Sequence, residues 1–305
     1  MSAATDTTST TIAAPAPSDS GRIAAWRLLL RNPVTVASAV VLLAVIVIAF
    51  FGQALAPYGI NDIDVPNALQ GPSSAHWFGT DDLGRDVLSR VLVATAVSLK
   101  VAVVSVGIAF LLGVTAGVVS GFVGGWFDTV MMRVVDVMFA FPVILLALAI
   151  ISILGPGIGT TMVAIGIVYT PIFARVARAS ALSVSVEPFV QVSRTMGTPS
   201  RTILVRHVLP NITAPIIVQT SLSLAFAILS EASLSFLGLG VQPPDPSWGR
   251  MLYDAQAFLG QAWWLSVFPG AAIFVTVLAF NLVGDGLRDV LDPKQRSIME
   301  ARARR

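Results

Sequence analysis

The 305-residue chain has no cysteine and only two histidines and two lysines. Without cysteine there are no disulfides, no thiolate catalysis and no cysteine-based metal site. His76 and His207 stand far apart in sequence, which argues against a histidine-rich metal site. A Walker-type nucleotide loop ends in Gly-Lys-Ser/Thr, because backbone amides and a lysine must hold the phosphates. Lys100 follows Leu99 and Lys294 follows Pro293, so neither completes such a loop. Gly-x-Ser-x-Gly and His-Glu-x-x-His are also missing, so no hydrolase signature is present. The chain reads as a non-enzyme with no cofactor and no metal of its own.

Charge is scarce as well. Charged residues make up 12% of the chain and hydrophobic ones 55%, against about 25% charged in soluble domains. Mean hydropathy is +0.81. About 20 apolar residues cross a bilayer core of about 30 Å as a helix. Residues 32–61 carry no charge, with an apolar core over 34–55, and residues 101–127 are charge-free too. Residues 137–174 are too long for one span and break at Gly155-Pro156-Gly157, which reads as a hairpin of two helices. Residues 208–230 and 255–284 complete six expected spans in an all-α integral membrane protein. The fourth span ends on Arg175 and Arg178.

The basic residues orient the bundle. With both termini inside, the segments 1–33, 120–136, 175–210 and 287–305 hold 15 of the 19 basic residues. This excess on one side is the positive-inside bias, and it makes both termini cytoplasmic. It also explains the basic pI without nucleic acid. The expected organisation is a disordered tail over 1–21 and an interfacial segment with the first span over 22–56. An external segment over 57–96 follows. A five-helix core over 97–286 contains a cytoplasmic loop at 179–210 and an external segment at 238–264, and a tail over 287–305 ends the chain. Residues 23–33 read equally as a short interfacial helix or an extension of the first span. Gly113, Gly117, Gly121 and Gly125 recur every four residues and share one helix face, which fits close helix packing first and a gating role second.

The loop 179–210 has helix punctuation. Glu187-Pro188 reads as a start, Gly197 as a C-terminal cap, Thr198-Pro199 as a second start and Leu209-Pro210 as a close. Arg194, Arg201 and Arg206 make it basic. Such a helix pair could form a rigid knob for a soluble partner or an amphipathic loop resting on anionic lipid.

The spacing from Gly197 to Leu209-Pro210 resembles the cytoplasmic signature of bacterial ABC importer permeases. Gln191-Val192-Ser193 stand where Glu-Ala-Ala is usual, and His207 stands where Ile is usual. Three further stretches resemble permeases of dipeptide, oligopeptide and nickel importers: His76–Arg90, with Gly79-Thr80-Asp81 and Gly84-Arg85-Asp86; Glu231–Gly240, followed by Pro243-Pro244 and Ser247-Trp248-Gly249; and Asn281–Asp289. The resemblance covers about residues 22–296 and points to the second permease of the pair, with a type I bundle in the bacterial inner membrane. It implies a second homologous permease, two ATPase subunits that bind ATP and Mg, an extracytoplasmic binding protein and a peptide substrate, all within membrane lipid. It also implies that 187–210 docks into the ATPase. The competing reading is a stand-alone secondary transporter or channel, which would need coupling-ion sites at mid-membrane. A scaffold without transport is a third.

Three acidic residues fall in or near spans. Asp136 follows Arg133 at i, i+3 spacing, which fits an interfacial ion pair. Asp285 is expected near the inner face. Glu231 is expected near the outer end of the fifth span, where Arg85, Arg90 and Arg250 are its basic candidates. It would brace the external segments or meet a peptide's amino terminus.

Overall fold

The computed structural model describes residues 32–291, and apart from one bridge between Thr80 and Asp86 every regular element among the described residues is helical. The expected tail over 1–21, the interfacial segment up to Arg31 and residues 292–305 lie outside the described residues.

Among the described residues, five helices are long and apolar enough to cross a membrane: α1 (Pro33–Leu55), α2 (Val87–Val123), α5 (Ile158–Ser185), α9 (Thr213–Phe236) and α11 (Trp264–Leu291). A sixth span is available if α3 (Gly125–Phe139) and α4 (Val143–Leu154), which meet at 92°, count as one broken crossing. The remaining helices are short: α6 (Pro188–Thr195), α7 (Ser200–Ile203), α8 (Leu209–Asn211) and α10 (Trp248–Ala255).

Several boundaries move from the sequence expectation, each for a local reason. α1 starts where Asn32 accepts the N–H groups of Val34 and Thr35 at 3.1 and 3.4 Å and Pro33 fills the first position, a combination that leaves fewer orphan donors. α2 begins at Val87, well before the charge-free run, because Asp86 caps it through Ser89 N at 2.8 Å. Its 37 residues reach about 55 Å, so its first turns project beyond the bilayer on the outer side. The expected external segment 57–96 therefore ends in ten helical residues. α2 stops at Gly124, and the expected fourth member of the glycine face, Gly125, lies outside α2 and starts α3. Residues 287–291 belong to α11 instead of a tail.

The other three glycines form the tightest contact in the bundle. A β-carbon on Gly113 would lie 2.5 Å from the Thr170 carbonyl oxygen, on Gly117 2.2 Å from that of Ala174, and on Gly121 2.7 Å from that of Arg178. α2 and α5 thus touch backbone to backbone over three turns, the geometry that small residues permit in lipid. α11 also packs closely on α1, where a β-carbon on Gly286 would meet the Thr35 side chain at 2.4 Å.

Candidate functional site

Chemistry-bearing side chains gather at two ends of the bundle. At the inner end, α6 closes with both hydrogen bonds of a Schellman motif: Thr198 N donates to Ser193 O at 3.1 Å and Gly197 N to Arg194 O at 3.0 Å. Gly197 has φ +76°, the left-handed conformation that this cap requires. Gln191 Nε2 donates to Ser185 O at 3.0 Å, tying α6 to the end of α5. The second helix begins at Ser200, one residue later than expected, with Pro199 as its cap. It does not close at Leu209-Pro210. Leu204–Val208 form a π turn in which Leu209 N donates to Leu204 O, and α8 carries Pro210 into α9 after a break at Ile212. The wider turn relieves the clash that a proline ring makes with the carbonyl four residues back.

Val190, Ile203, Val208 and Ile212 bury this unit against the bundle. Its other face is open: Glu187, Gln191, Val192, Arg194, Met196, Gly197, Arg201, Arg206 and Pro210 are exposed, and Ser193, His207 and Leu209 are half-buried. Arg194 reaches back over the Phe122 ring, 5.0 Å from its centroid. The result is a rigid helix pair with an apolar and basic outward face.

At the outer end, the 56–86 segment folds around two aspartates. Asp81 Oδ1 accepts the N–H groups of Leu83 and Arg85, each at 2.9 Å, and its Oδ2 accepts Arg85 Nε at 2.6 Å. Asp86 meets His76 Nδ1 at 2.9 Å and Ser89 Oγ at 2.7 Å while capping α2. Gly84 has φ +76°, and a β-carbon there would lie 1.9 Å from Asp64 O. Gly79 also has φ +76°, and a β-carbon there would meet Gln70 O at 2.6 Å. Thr80 O accepts Trp264 Nε1 at 3.1 Å, and Phe78 stacks on Phe268 at 3.8 Å between ring centroids. The segment is thus fastened to the start of α11.

Beside it, Asp82 shares a small hollow with Asp81, Arg90, Met251 and Asp254. Burial pushes the Asp82 carboxyl above its ordinary value of 3.8, Asp81 adds to this, and Arg85 opposes it. A raised carboxyl holds its proton better in the folded state, so its stabilisation is full below the ordinary value and is lost as pH rises through the raised one. Limited proteolysis of the 56–86 segment is expected to quicken as pH rises above the ordinary carboxylate value of 3.8 and through the raised one, and Asp82→Asn is expected to flatten that profile. An equally steep profile in the variant would exclude Asp82 as the source.

Glu231 departs from its expected partners. Arg85 and Arg90 turn to Asp81, at 2.6 and 3.7 Å, and Arg250 pairs with Asp254 at 2.9 Å. Glu231 is fully buried, without an arginine. Its Oε1 accepts Ser235 Oγ at 2.7 Å, and Ser98 and Ser247 also lie around the carboxylate. Each of these three hydroxyls accepts a backbone N–H from the 238–255 segment: Ser235 from Val241 at 3.2 Å, Ser98 from Trp248 at 3.2 Å and Ser247 from Arg250 at 3.1 Å. Contact with a peptide's amino terminus does not fit a carboxylate so enclosed. The serines were missed in the sequence, although Ser235 sits one helical turn after Glu231.

Asp136 is the other corrected partner. It pairs with Arg175 at 2.7 Å, not with Arg133. Arg178 holds Asp128 through two bonds, Nε to Oδ1 at 2.5 Å and Nη2 to Oδ2 at 2.6 Å. The two arginines that end the fourth expected span are thereby neutralised by α3. Asp285 is exposed on α11.

A bundle of helices long and apolar enough to cross a membrane, with a capped helix pair at its inner end, defines a multi-pass membrane protein. Residues 113–297 match the model of the binding-protein-dependent transport system inner membrane component, and residues 23–72 match the N-terminal TM domain of oligopeptide transport permease C. The chain belongs to the family of inner-membrane permease components of binding-protein-dependent ABC importers. Among its relatives, the glutathione transport system permease protein GsiD of Pectobacterium atrosepticum is 46% identical over 89% of this chain and 91% of that protein. The dipeptide transport system permease protein DppC of Alkalihalophilus pseudofirmus is 43% identical over 90% of each. A chain of the MetNI methionine ABC transporter, solved in inward-facing conformations, has a TM-score of 0.54 at 17% identity over 64% of this chain and 93% of that one, a likeness of fold. Membership sets aside the stand-alone transporter, the channel and the scaffold. In such a system ATP is handled by a partner ATPase, and another permease and a binding protein complete the assembly.

Proposed function

We propose that this chain is the second permease of an importer for short peptides of the dipeptide or glutathione kind. It pairs with a homologous permease to enclose the path, sits on two ATPase subunits and receives substrate from an extracytoplasmic binding protein. The substrate class is supported by the similarity to GsiD and DppC, which runs along nearly nine-tenths of the chain. Dipeptides and glutathione are both short and zwitterionic, and the importer would move them by differential binding between inward-facing and outward-facing states.

The observation that carries the coupling role is the exposed face of α6 and α7. Val192 and Met196 are 56% and 79% exposed on a helix whose opposite side is anchored by fully buried Val190. Apolar side chains offered on a rigid frame that also exposes Arg201 and Arg206 fit a groove in a soluble partner better than a lipid surface. Such a hydrophobic centre with a polar rim is the usual anatomy of an interface.

Gly197→Pro tests this directly. Proline cannot adopt φ +76°, and it removes the N–H that Gly197 donates to Arg194 O. Nothing lies within 4 Å of a β-carbon there, so the change acts on the cap alone. Together with Arg201→Glu it is expected to abolish uptake of labelled dipeptide and glutathione while membrane insertion stays normal. Normal uptake in both variants would refute the docking assignment. Failure to transport either peptide in the assembled wild-type complex would refute the substrate class.

A further inference from the structure

Helix α3 hangs between two joints. At its start Gly124 and Gly125 have φ +69° and +65°, and a β-carbon on either would meet nothing within 4 Å. These glycines are required by backbone conformation and not by crowding, since other residues pay about 1–2 kcal/mol to be left-handed. At its far end the chain turns 92° into α4. A helix suspended in this way takes its position from its side-chain contacts.

Those contacts converge on α5. Asp128, in the first turn of α3, accepts Ser120 Oγ from the end of α2 and both guanidinium bonds from Arg178. The Arg178 carbonyl lies against Gly121, so this arginine sits where α2, α3 and α5 meet. Asp136, two turns on, takes Arg175, whose guanidinium also lies 4.0 Å from the centroid of the Phe139 ring. The pairs differ in strength. Asp136 and Arg175 are about half exposed, at 49% and 51%, whereas Asp128 is 16% exposed and is gripped at both oxygens. Two-point contacts fix geometry as well as distance.

α5 then runs two turns further, to Ser185, and α6 begins at Pro188. We propose that Asp128 and Arg178 are positioning residues of the transport reaction: they make α3 follow the end of α5. A displacement of the docking segment is then delivered past the bend to α4. The inference rests on the docking role proposed for α6 and α7.

The test uses the complete importer, with both permeases, the ATPases and the binding protein, in proteoliposomes. Asp128→Asn and Arg178→Gln are compared with the exchanged pair Asp128→Arg/Arg178→Asp. Basal ATP hydrolysis, its stimulation by loaded binding protein and peptide uptake are measured. Each single variant is expected to assemble and to keep basal hydrolysis, but to lose uptake per ATP by about tenfold, the size of an ordinary coupling free energy. The exchanged pair is expected to recover a good part of that loss, the signature of a direct interaction. Arg178→Lys, which keeps the charge and gives up the two-point grip, is expected to fall between wild type and Arg178→Gln and covers the case in which a neutral variant fails to assemble. Uptake per ATP unchanged in the single variants and in Arg178→Lys would overturn the proposal. So would an exchanged pair that assembles and transports no better than the single variants. If Gly197→Pro abolishes uptake while Asp128→Asn leaves it intact, only the positioning role fails. If Gly197→Pro and Arg201→Glu both transport normally, the docking reading fails first.

Discussion

Gly117→Val is expected to leave no folded permease. The added β-carbon would stand 2.2 Å from the Ala174 carbonyl oxygen and about 3 Å from its neighbouring backbone atoms. These are backbone atoms of a helix that cannot rotate away, so α2 and α5 must separate. Separation also breaks the contacts at Gly113 and Gly121 and exposes Phe173, which is fully buried between the spans. Overpacking costs about 1–3 kcal/mol where the surroundings yield, and more where they do not. Gly107→Ala on the same helix is the control, because nothing lies within 4 Å of its β-carbon. Size-exclusion profiles of the two variants in detergent, with a fluorescent tag, should show an aggregated peak for Gly117→Val and a wild-type peak for Gly107→Ala. A normal peak for both would mean that this interface is looser than its geometry.

The same glycines mark what a sequence can and cannot convey. Their four-residue spacing announced a close helix contact, but Gly125 extends the spacing and does not extend the face. What ends α2 is the positive φ of Gly124, a backbone property that spacing does not encode. The apolar runs located the spans because a lipid-exposed helix must be apolar throughout. Their ends were legible only where caps had a recognisable chemistry, as at Gly197. Where a helix ran on past the charge-free stretch, as α2 does over Val87–Lys100, Arg90 and Lys100 interrupted the apolar run and hid ten or more helical residues, although the protein itself covers most of them. The bend between α3 and α4 was missed because the apolar run was counted from residue 137, across the turn that separates the charged α3 from the uncharged α4.

Charge partners followed a similar divide. Arg85 and Arg250, expected as candidates for Glu231, instead take Asp81 and Asp254, each four residues away in sequence. Asp136 had a local candidate in Arg133 and took a distant one, Arg175, because α5 packs against the face of α3 that carries it. Buried serines leave even less trace. A serine within a span costs little and carries no pattern, so the role of Ser98 becomes visible only when Trp248 is found beside it. The first helix of the inner pair and the start of the second were legible for the opposite reason: Pro188, Gly197 and Pro199 make local conformational demands, whereas the expected close at Leu209-Pro210 runs on through a π turn.

Glu231→Ala is expected to release α10 from the bundle. The carboxylate is surrounded by three serine hydroxyls, each of which spends a lone pair on a backbone N–H of the 238–255 segment. The Ser235 hydroxyl donates to Glu231 Oε1 at 2.7 Å, while Oε2 is buried with no hydrogen-bond partner among the described residues. Alanine removes this acceptor, leaves the buried Ser235 hydroxyl without it at about 1–3 kcal/mol, and empties the space beside Ser98 and Ser247. Gly249 presses on the Ala232 backbone, where a β-carbon would lie 2.6 Å away, so α10 has no room to slide and must lift. The cysteine-free background supplies the measurement. A single cysteine at Met251, which is buried on α10, should resist a membrane-impermeant maleimide in the parent and label at least about tenfold faster beside Glu231→Ala, as opening of a local unit requires. Glu231→Gln keeps one acceptor oxygen and should label at an intermediate rate. Equal, slow labelling in all three, with uptake unchanged, would show that α10 is held by its own buried Trp248, which donates to Val91 O of α2, and not by this carboxylate.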